Sequence, residues 1–205
     1  MNLLPPDPNA NLLPRDGIVN YHGPIFPSDE ADHFFTRLRE TLAWRHDEVV
    51  MFGKRIVTAR KVAWYGDREF AYTYSGTTHT ALPWTEELAE LKAKVEAILG
   101  GSLNSCLANR YHDGSEGMGW HSDDEATLVE NAPISSLSFG AERKFALRHK
   151  ADHKEKVSLT LEHGSLLTMR GETQRHWSHA LPKSRRVADE RINLTFRVMK
   201  SGQEG

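Results

Sequence analysis

Two periodicities divide the chain. Between residues 28 and 42 the apolar side chains recur at helical spacing, with Ala31, Phe34, Phe35, Leu38 and Leu42 forming one stripe behind Pro27 and Ser28. A second stripe follows Thr85, setting Leu88, Leu91, Val95 and Ile98 inward and stopping at Gly100-Gly101. From residue 103 the period shortens, and strands are predicted over 103–111, 134–139, 143–149, 156–161, 165–170 and 191–198. Helices first and many short strands later predict an α+β domain, a jelly-roll core flanked by N-terminal helices. Residues 1–17 carry Pro5, Pro6, Pro8 and Pro14 among Asn and Asp and read as a flexible or extended arm; residues 18–205 read as one domain, and no internal repeat is evident.

The last strand alternates strictly. One face carries Arg191, Asn193, Thr195 and Arg197, the other Ile192, Leu194, Phe196 and Val198. A solvated sheet edge gives the same pattern; so does a polar-lined pocket, to which Asn109 and Tyr111, at i and i+2 on an earlier strand, can contribute. Between these strands, Gly119-Trp120-His121-Ser122-Asp123-Asp124-Glu125 places His121 and Asp123 on the same side of an extended chain while Ser122 faces away. His179 stands far downstream, where barrel strands can return it to the same point. Two imidazoles and a carboxylate hold a divalent iron on one face and leave positions open for a cosubstrate and dioxygen. A surface histidine beside a turn aspartate would give the same letters. Arg191 and Arg197 suggest that the cosubstrate is a dicarboxylate, because the planar guanidinium fork donates two parallel hydrogen bonds to a carboxylate.

Composition narrows the partners. The 205 residues suffice for one sizeable core, and a net charge of −2 does not by itself advertise a polyanion. The distribution says more: Lys54, Arg55, Arg60, Lys61 and Arg68 cluster in one region, Lys183, Arg185 and Arg186 follow His179, and Glu86, Glu87, Glu90 and Glu96 lie apart on a predicted helix. Such stripes bind phosphate in a slightly acidic protein, or are solvated faces; for Arg143, Lys144, Arg148 and Lys150 the two readings stand level. A single cysteine, Cys106, excludes an internal disulfide, fits a reducing compartment, and faces opposite Asn109 as a buried thiol. No apolar run approaches a membrane span and no signal pattern opens the chain, so a soluble intracellular protein is expected, cytoplasmic in a bacterium or nuclear in a eukaryote.

Asn109-Arg110-Tyr111, His121-Ser122-Asp123-Asp124-Glu125, Trp177-Ser178-His179-Ala180-Leu181-Pro182 and Arg191-Ile192-Asn193-Leu194-Thr195-Phe196-Arg197 together resemble the AlkB family of iron and 2-oxoglutarate dependent dealkylases, over about residues 48–198. The resemblance implies a double-stranded β-helix. It implies that His121, Asp123 and His179 are the catalytic Fe(II) ligands, that Arg191 with Asn109 and Tyr111 holds the distal carboxylate of 2-oxoglutarate, that Arg197 holds the end chelated to iron, and that Asn193 accompanies them. The implied reaction uses dioxygen, converts 2-oxoglutarate to succinate and carbon dioxide, and hydroxylates the N-methyl group of 1-methyladenine or 3-methylcytosine in DNA, after which formaldehyde is lost.

The subgroup most resembled repairs bases within duplex DNA. Val50-Met51-Phe52-Gly53-Lys54 is similar to its hairpin finger, whose apolar tip replaces the stacking of a flipped-out base while neighbouring cations meet phosphate. Phe52 in a core strand before an ordinary Gly53 turn is the alternative. Tyr72-Thr73-Tyr74-Ser75-Gly76 resembles the segment that stacks on the extruded base, and Glu125 the acidic residue facing it; core tyrosines and a solvated loop carboxylate are the alternatives. The finger and base-pocket region would span about 48–80 and the jelly roll about 103–198, with Arg60, Lys183 and Arg186 among the substrate contacts. Expected partners are double- and single-stranded alkylated DNA, for a monomer away from membranes. RNA or protein substrates, or a non-catalytic module for alkylated DNA, are the rival readings; the last has no need of His121, Asp123 and His179.

Overall fold

The computed structural model describes residues 7–51, 54–74 and 77–200. In chain order the elements are β1 (Ile18–Pro24), α1 (Ser28–Thr41), β2 (Arg45–Met51), β3 (Lys54–Gly66), β4 (Ala71–Tyr74), β5 (Thr77–Thr80), α2 (Glu86–Leu99), β6 (Ser105–Tyr111), β7 (Met118–His121), β8 (Ile134–Gly140), β9 (Arg143–His149), β10 (Lys156–Leu161), β11 (Ser165–Arg170), α3 (Thr173–His176), β12 (Trp177–Leu181) and β13 (Arg191–Arg197). A seven-stranded sheet runs β1-β11-β8-β13-β6-β3-β2, a four-stranded sheet runs β10-β9-β12-β7, and β4 pairs with β5 alone.

Helix boundaries follow local chemistry. Thr85 caps α2 by accepting a hydrogen bond from the Leu88 N–H, and Gly100 ends it in the left-handed region at φ 68°, which costs glycine no Cβ clash. Ile98, expected inward, is 38% exposed. Leu99, four residues after the buried Val95, packs against the core in its place.

The layers explain the alternation of β13. Ile192, Leu194 and Phe196 join Phe34, Leu38, Leu88, Leu91 and Val95 in one apolar cluster, so α1 and α2 cover the outer face of the large sheet. The opposite face, with Arg191, Asn193 and Thr195, is buried too and faces the four-stranded sheet. The polar side of this strand is therefore the inside of the barrel. Pairing fixes who faces whom: Asn193 lies between Asn109 on β6 and Ser138 on β8, Arg191 opposite Tyr111, and Thr195 opposite Leu107 and Ser136. A second apolar cluster, including Val19, Phe145, Leu147, Leu167, Met169 and Trp177, borders these polar groups, and its Phe145 and Met169 line the inner cavity beside them.

Residues 7–17 run through turns and bends and are fastened to the body of the protein. Leu13 is buried, the Trp177 indole donates to the Arg15 carbonyl at 3.0 Å, and Leu12 N–H donates to the Val19 carbonyl at 2.8 Å. His149 Nδ1 accepts from the Ala151 and Asp152 N–H groups, which leaves the proton on Nε2 to meet Asp16 at 3.2 Å. No helix among the described residues is long and apolar enough to cross a membrane.

Of the undecided cations, Arg143 is structural. It is buried, with NH2 donating to the Glu116 and Pro182 carbonyls at 2.8 and 2.9 Å and NH1 to the Asp113 carbonyl at 3.3 Å. It thereby joins the loop before β7 to the loop after β12. Arg143→Ala strands those carbonyls, and we expect a loss on the order of 3 kcal/mol, measured by urea unfolding; a midpoint like that of the parent protein would show that these bonds do not hold the loops.

Candidate active site

The strand β7 ends at His121, and Asp123 follows in an extended loop. His121 is paired directly with His179 across β7 and β12, so the fold itself brings two imidazoles together. Their ring centroids are 4.3 Å apart. Asp123 Oδ1 lies 3.7 Å from His121 Nε2 and 3.9 Å from His179 Nε2, and one ligand atom from each of the three residues lies within 4.8 Å of the others. His121 Nδ1 lies 2.8 Å from the Gly119 carbonyl, a contact that places its proton there and leaves the Nε2 lone pair for a ligand. A second group, Asp16, His149 and His176, is equally close, but the protonated His149 Nε2 makes it a tie for the N-terminal segment.

Electrostatics favours the ligating forms. Burial opposes the charge on Asp123, but Arg197, bonded to it at 2.8 Å, and the two imidazoles outweigh that effect and hold its carboxyl below the usual range. His179 is pushed down to about 4, chiefly by burial against the opposing pull of Asp123, so at neutral pH it is the uncharged, metal-binding imidazole.

Beside the three lies an inner cavity lined also by Asn109, Tyr111, Phe145, Arg191, Asn193, Thr195 and Arg197. Arg191 NH2 donates to Ser138 Oγ at 2.9 Å and Asn193 Oδ1 at 2.8 Å, while its Nε and the Asn109 Oδ1 are buried without partners. Burial lowers Arg191 to about 10, offset in part by Tyr111, and leaves it cationic at neutral pH. Among the described residues no carboxylate pairs with it. A buried guanidinium facing a cavity without a counter-ion fits an anionic ligand.

A second cavity of about 210 Å³ opens outward from the first, sharing Leu107, Asn109, Met118 and Arg197 with it. Val62, Trp64, Leu128 and Met199 give it apolar walls, and Glu125, Asp47 and Arg60 add charge. Arg60 is not the phosphate-facing cation of the sequence reading: it is buried, bonded to Asp47, and donates to Met118 Sδ at 3.2 Å. It is a wall of the cavity. Lys183 and Arg186 are exposed in the loop after β12, which the Ser184–Gly114 backbone bond of 2.7 Å fastens down. Arg148 lies over the exposed Trp120 ring at 4.3 Å, and Lys150 bonds the Gln174 carbonyl at 2.8 Å. In β2 and β3, Met51 pairs with Lys54; Phe52 and Gly53 between them lie outside the described residues, as does Ser75. Tyr72 and Tyr74 occupy alternate positions of β4, paired with His79 and Thr77 of β5. Asp47, Met118 and Gln174 were not legible as site residues, since nothing in their spacing marks them.

The 2OG-Fe(II) oxygenase superfamily profile matches residues 17–197. The chain is also 39% identical over 200 residues to DNA oxidative demethylase ALKBH2 of Mus musculus, across 93% of this chain and 84% of that protein. This chain belongs to the AlkB family of 2OG-Fe(II) oxygenases. Alpha-ketoglutarate-dependent dioxygenase alkB homolog 3 of Rattus norvegicus is 38% identical over 185 residues, 86% of this chain and 62% of that one. A solved structure of OsALKBH1 superposes with a TM-score of 0.61 at 16% identity, covering 91% of this chain and 98% of that one, and shares the jelly-roll fold. As a 2OG-Fe(II) oxygenase, the protein is an enzyme whose cofactors are Fe(II), 2-oxoglutarate and dioxygen. Its residues fit them: the His121, Asp123 and His179 donor set suits Fe(II), and the uncompensated Arg191 suits a carboxylate.

Two outcomes follow from this geometry. Losing a buried cation that faces the inner cavity without a carboxylate partner costs roughly 2 to 4 kcal/mol, so Arg191→Ala should raise the 2-oxoglutarate requirement steeply and Arg191→Lys should restore it only in part; saturation of both at the parent concentration would put the dicarboxylate elsewhere. In the metal-free protein, His179 has a folded-state pKa of about 4 against 6.5 for the free imidazole. Its stabilising contribution is therefore complete above about pH 6.5 and lost as pH falls toward about 4. Urea midpoints of metal-free protein should drop less across that window in His179→Asn than in the parent, and parallel curves would refute the assignment.

Proposed function

We propose that this oxygenase demethylates the ring nitrogens of alkylated DNA bases, 1-methyladenine and 3-methylcytosine, converting 2-oxoglutarate to succinate and carbon dioxide and releasing formaldehyde. The observation that carries this reading is the adjoining pair of cavities, a polar inner one with His121, Asp123, His179 and Arg191 and an apolar outer one walled by Trp64, Leu128 and Met199. The relatives named as DNA oxidative demethylases support DNA as the substrate. Fe(II), bound with 2-oxoglutarate and dioxygen, supplies the oxidation of the methyl group, and the hemiaminal so formed loses formaldehyde.

The chain's own residues bind and orient. Arg191 grips the far carboxylate of 2-oxoglutarate between Asn109 and Tyr111, with Asn193 holding its guanidinium in place. Arg197 keeps Asp123 ionised and turned toward the imidazoles, and completes the wall against which the near end of the cosubstrate lies. A base extruded from DNA enters the outer cavity, where the apolar walls exclude water and the Glu125 carboxylate accepts from an exocyclic amine. Tyr72, Tyr74 and Ser75 form the stacking side of that slot, within a finger and base-pocket region of about 48–80 built onto the 103–198 jelly roll in a single domain. Lys183 and Arg186, exposed near the site, meet phosphates.

Phe52 and Gly53, which the sequence puts between β2 and β3 with Lys54 next in the chain, serve in this reading as the finger tip, and Phe52 fills the step that a flipped base vacates in a duplex. Aerobic incubation with Fe(II), 2-oxoglutarate and methylated oligonucleotides, read by base mass and formaldehyde, tests the activity itself. Turnover of methylated RNA or of protein alone would favour the rival substrates. Because about 1.4 kcal/mol of lost stacking gives a factor of ten, Phe52→Ala should lower dealkylation of double-stranded DNA about tenfold or more and spare single-stranded DNA. Equal losses on both, with circular dichroism unchanged, would make Phe52 a packing residue.

A further inference from the structure

Of the three ligands, the carboxylate alone lies outside the strand ladders. His121 ends β7 and His179 lies inside β12, both held by ladder hydrogen bonds, whereas Asp123 sits in the loop that follows β7. A buried loop residue needs another partner for its backbone N–H. That partner is a side chain: Gln174 Oε1 accepts from the Asp123 N–H at 2.9 Å. The other end of the amide is fixed as well, because Gln174 Nε2 donates to Met169 Sδ at 3.3 Å, on the strand that precedes α3.

We propose that Gln174 is a positioning residue for the metal carboxylate, carrying the placement of α3 and β12 across to the loop that holds Asp123. The short helix is itself tied down. Thr173 Oγ1 accepts from the Ile18 N–H at 2.9 Å and donates to the Arg170 carbonyl at 2.6 Å, and the Gln174 carbonyl accepts from Lys150 at 2.8 Å. Lys150 also reaches Asp124 at 3.4 Å, and Ser122 Oγ donates to the Trp177 carbonyl at 3.1 Å. The loop is thus fastened immediately before, at and after Asp123, and two of the three fastenings, at Asp123 and Asp124, converge on Gln174. Because α3 runs directly into β12, the same four residues set His179 through the chain and Asp123 through the amide. The ligand set is held in register before any metal arrives, and Gln174 contributes to metal affinity without touching the metal.

The inference rests on His121, Asp123 and His179 being the metal ligands, and its test separates the two. Full-length metal-free protein is titrated with Co(II) under nitrogen and followed by visible absorption, for the parent chain, Asp123→Ala, Gln174→Leu and Gln174→Glu. Outer partners of this kind are worth about 10- to 100-fold in metal affinity, so Gln174→Leu should bind Co(II) about tenfold or more weakly than the parent. Its metal-free melting temperature should fall by only a few degrees, because one buried N–H loses its partner, and Gln174→Glu, which keeps an oxygen toward the Asp123 N–H, should recover most of the affinity. At saturating metal the 2-oxoglutarate requirement of Gln174→Leu should match the parent's. Parent-like Co(II) affinity in Gln174→Leu, or a loss that only tracks a lower melting temperature and is not recovered by Gln174→Glu, overturns the proposal. Should Gln174→Leu fail to fold, Gln174→Asn, whose shorter amide cannot span the same gap, decides by the same affinity measurement. If Asp123→Ala binds Co(II) as the parent does, the metal-site reading falls and this inference with it; if Asp123→Ala is weak and Gln174→Leu is not, this inference falls alone.

Discussion

A guanidinium buried in a barrel must find hydrogen bonds on every side or it will not stay there, and much of the inner surface of this protein is arranged around that requirement at Arg191. Ser138 and Asn193 take its NH2 donors, Asn193 is held in turn by Ser136 and Thr195, and the Tyr111 ring lies beneath the cation at 5.6 Å. These residues come from three adjacent strands of the large sheet, so their register is set by the network as well as by the ladders. With the inner face given to polar groups, apolar burial has to come from outside, which is why α1 and α2 pack on the sheet. The remaining Nε donor and the positive charge are left to be satisfied by a ligand, so the element that specifies the barrel's interior also specifies what enters it.

This inversion shows why some of the molecule was legible in its sequence. The alternation of residues 191–198 identified a strand with one polar face, and the physics of strands alone allowed that face to be solvent or pocket; only the company of Asn109, Tyr111 and the His121, Asp123, His179 pattern favoured the pocket. The helix stripes were clear because α1 and α2 bury one side against the sheet, though Leu99 rather than Ile98 closes the second. Charge was a poorer guide. Arg60 and Arg143 look like any surface cation in a string of letters, yet both are buried, one against Asp47 and Met118 and the other against backbone carbonyls. Gln174 was silent for a further reason: a four-residue helix has no periodicity to read, and its partner is the backbone, which every residue carries.

His121 and His179 lie on the smaller sheet, Asp123 follows in the loop after β7, and Arg191 lies on the larger sheet, so the geometry of the site depends on how the two sheets are joined. Arg197 makes one joint, reaching from β13 to Asp123 and, at 3.9 Å, toward Glu125. Its charge offsets the cost of burying the Asp123 carboxylate, and Arg197 itself lines both the inner and the outer cavity. Within the smaller sheet, Arg143 ties the loop before β7 to the loop after β12. The apolar cluster of Phe145, Leu147, Met169 and Trp177 fills the space between and leaves little room for one sheet to slide on the other.

The β2–β3 hairpin extends the same logic to the outside. β3 pairs from Lys61 to Gly66 with β6, the strand that carries Asn109 and Tyr111, and continues beyond it paired with β2 alone as far as the Met51–Lys54 pair. One strand thus holds Val62 and Trp64 in the outer cavity and carries the β2 ladder at its other end. The Asp47–Arg60 pair crosses the hairpin where it leaves the sheet, and Arg60 reaches Met118 on β7, directly before the metal-binding segment. The far end of this hairpin is therefore coupled to the cavity wall by a strand under ladder hydrogen bonds and by an ion pair, not by a loop.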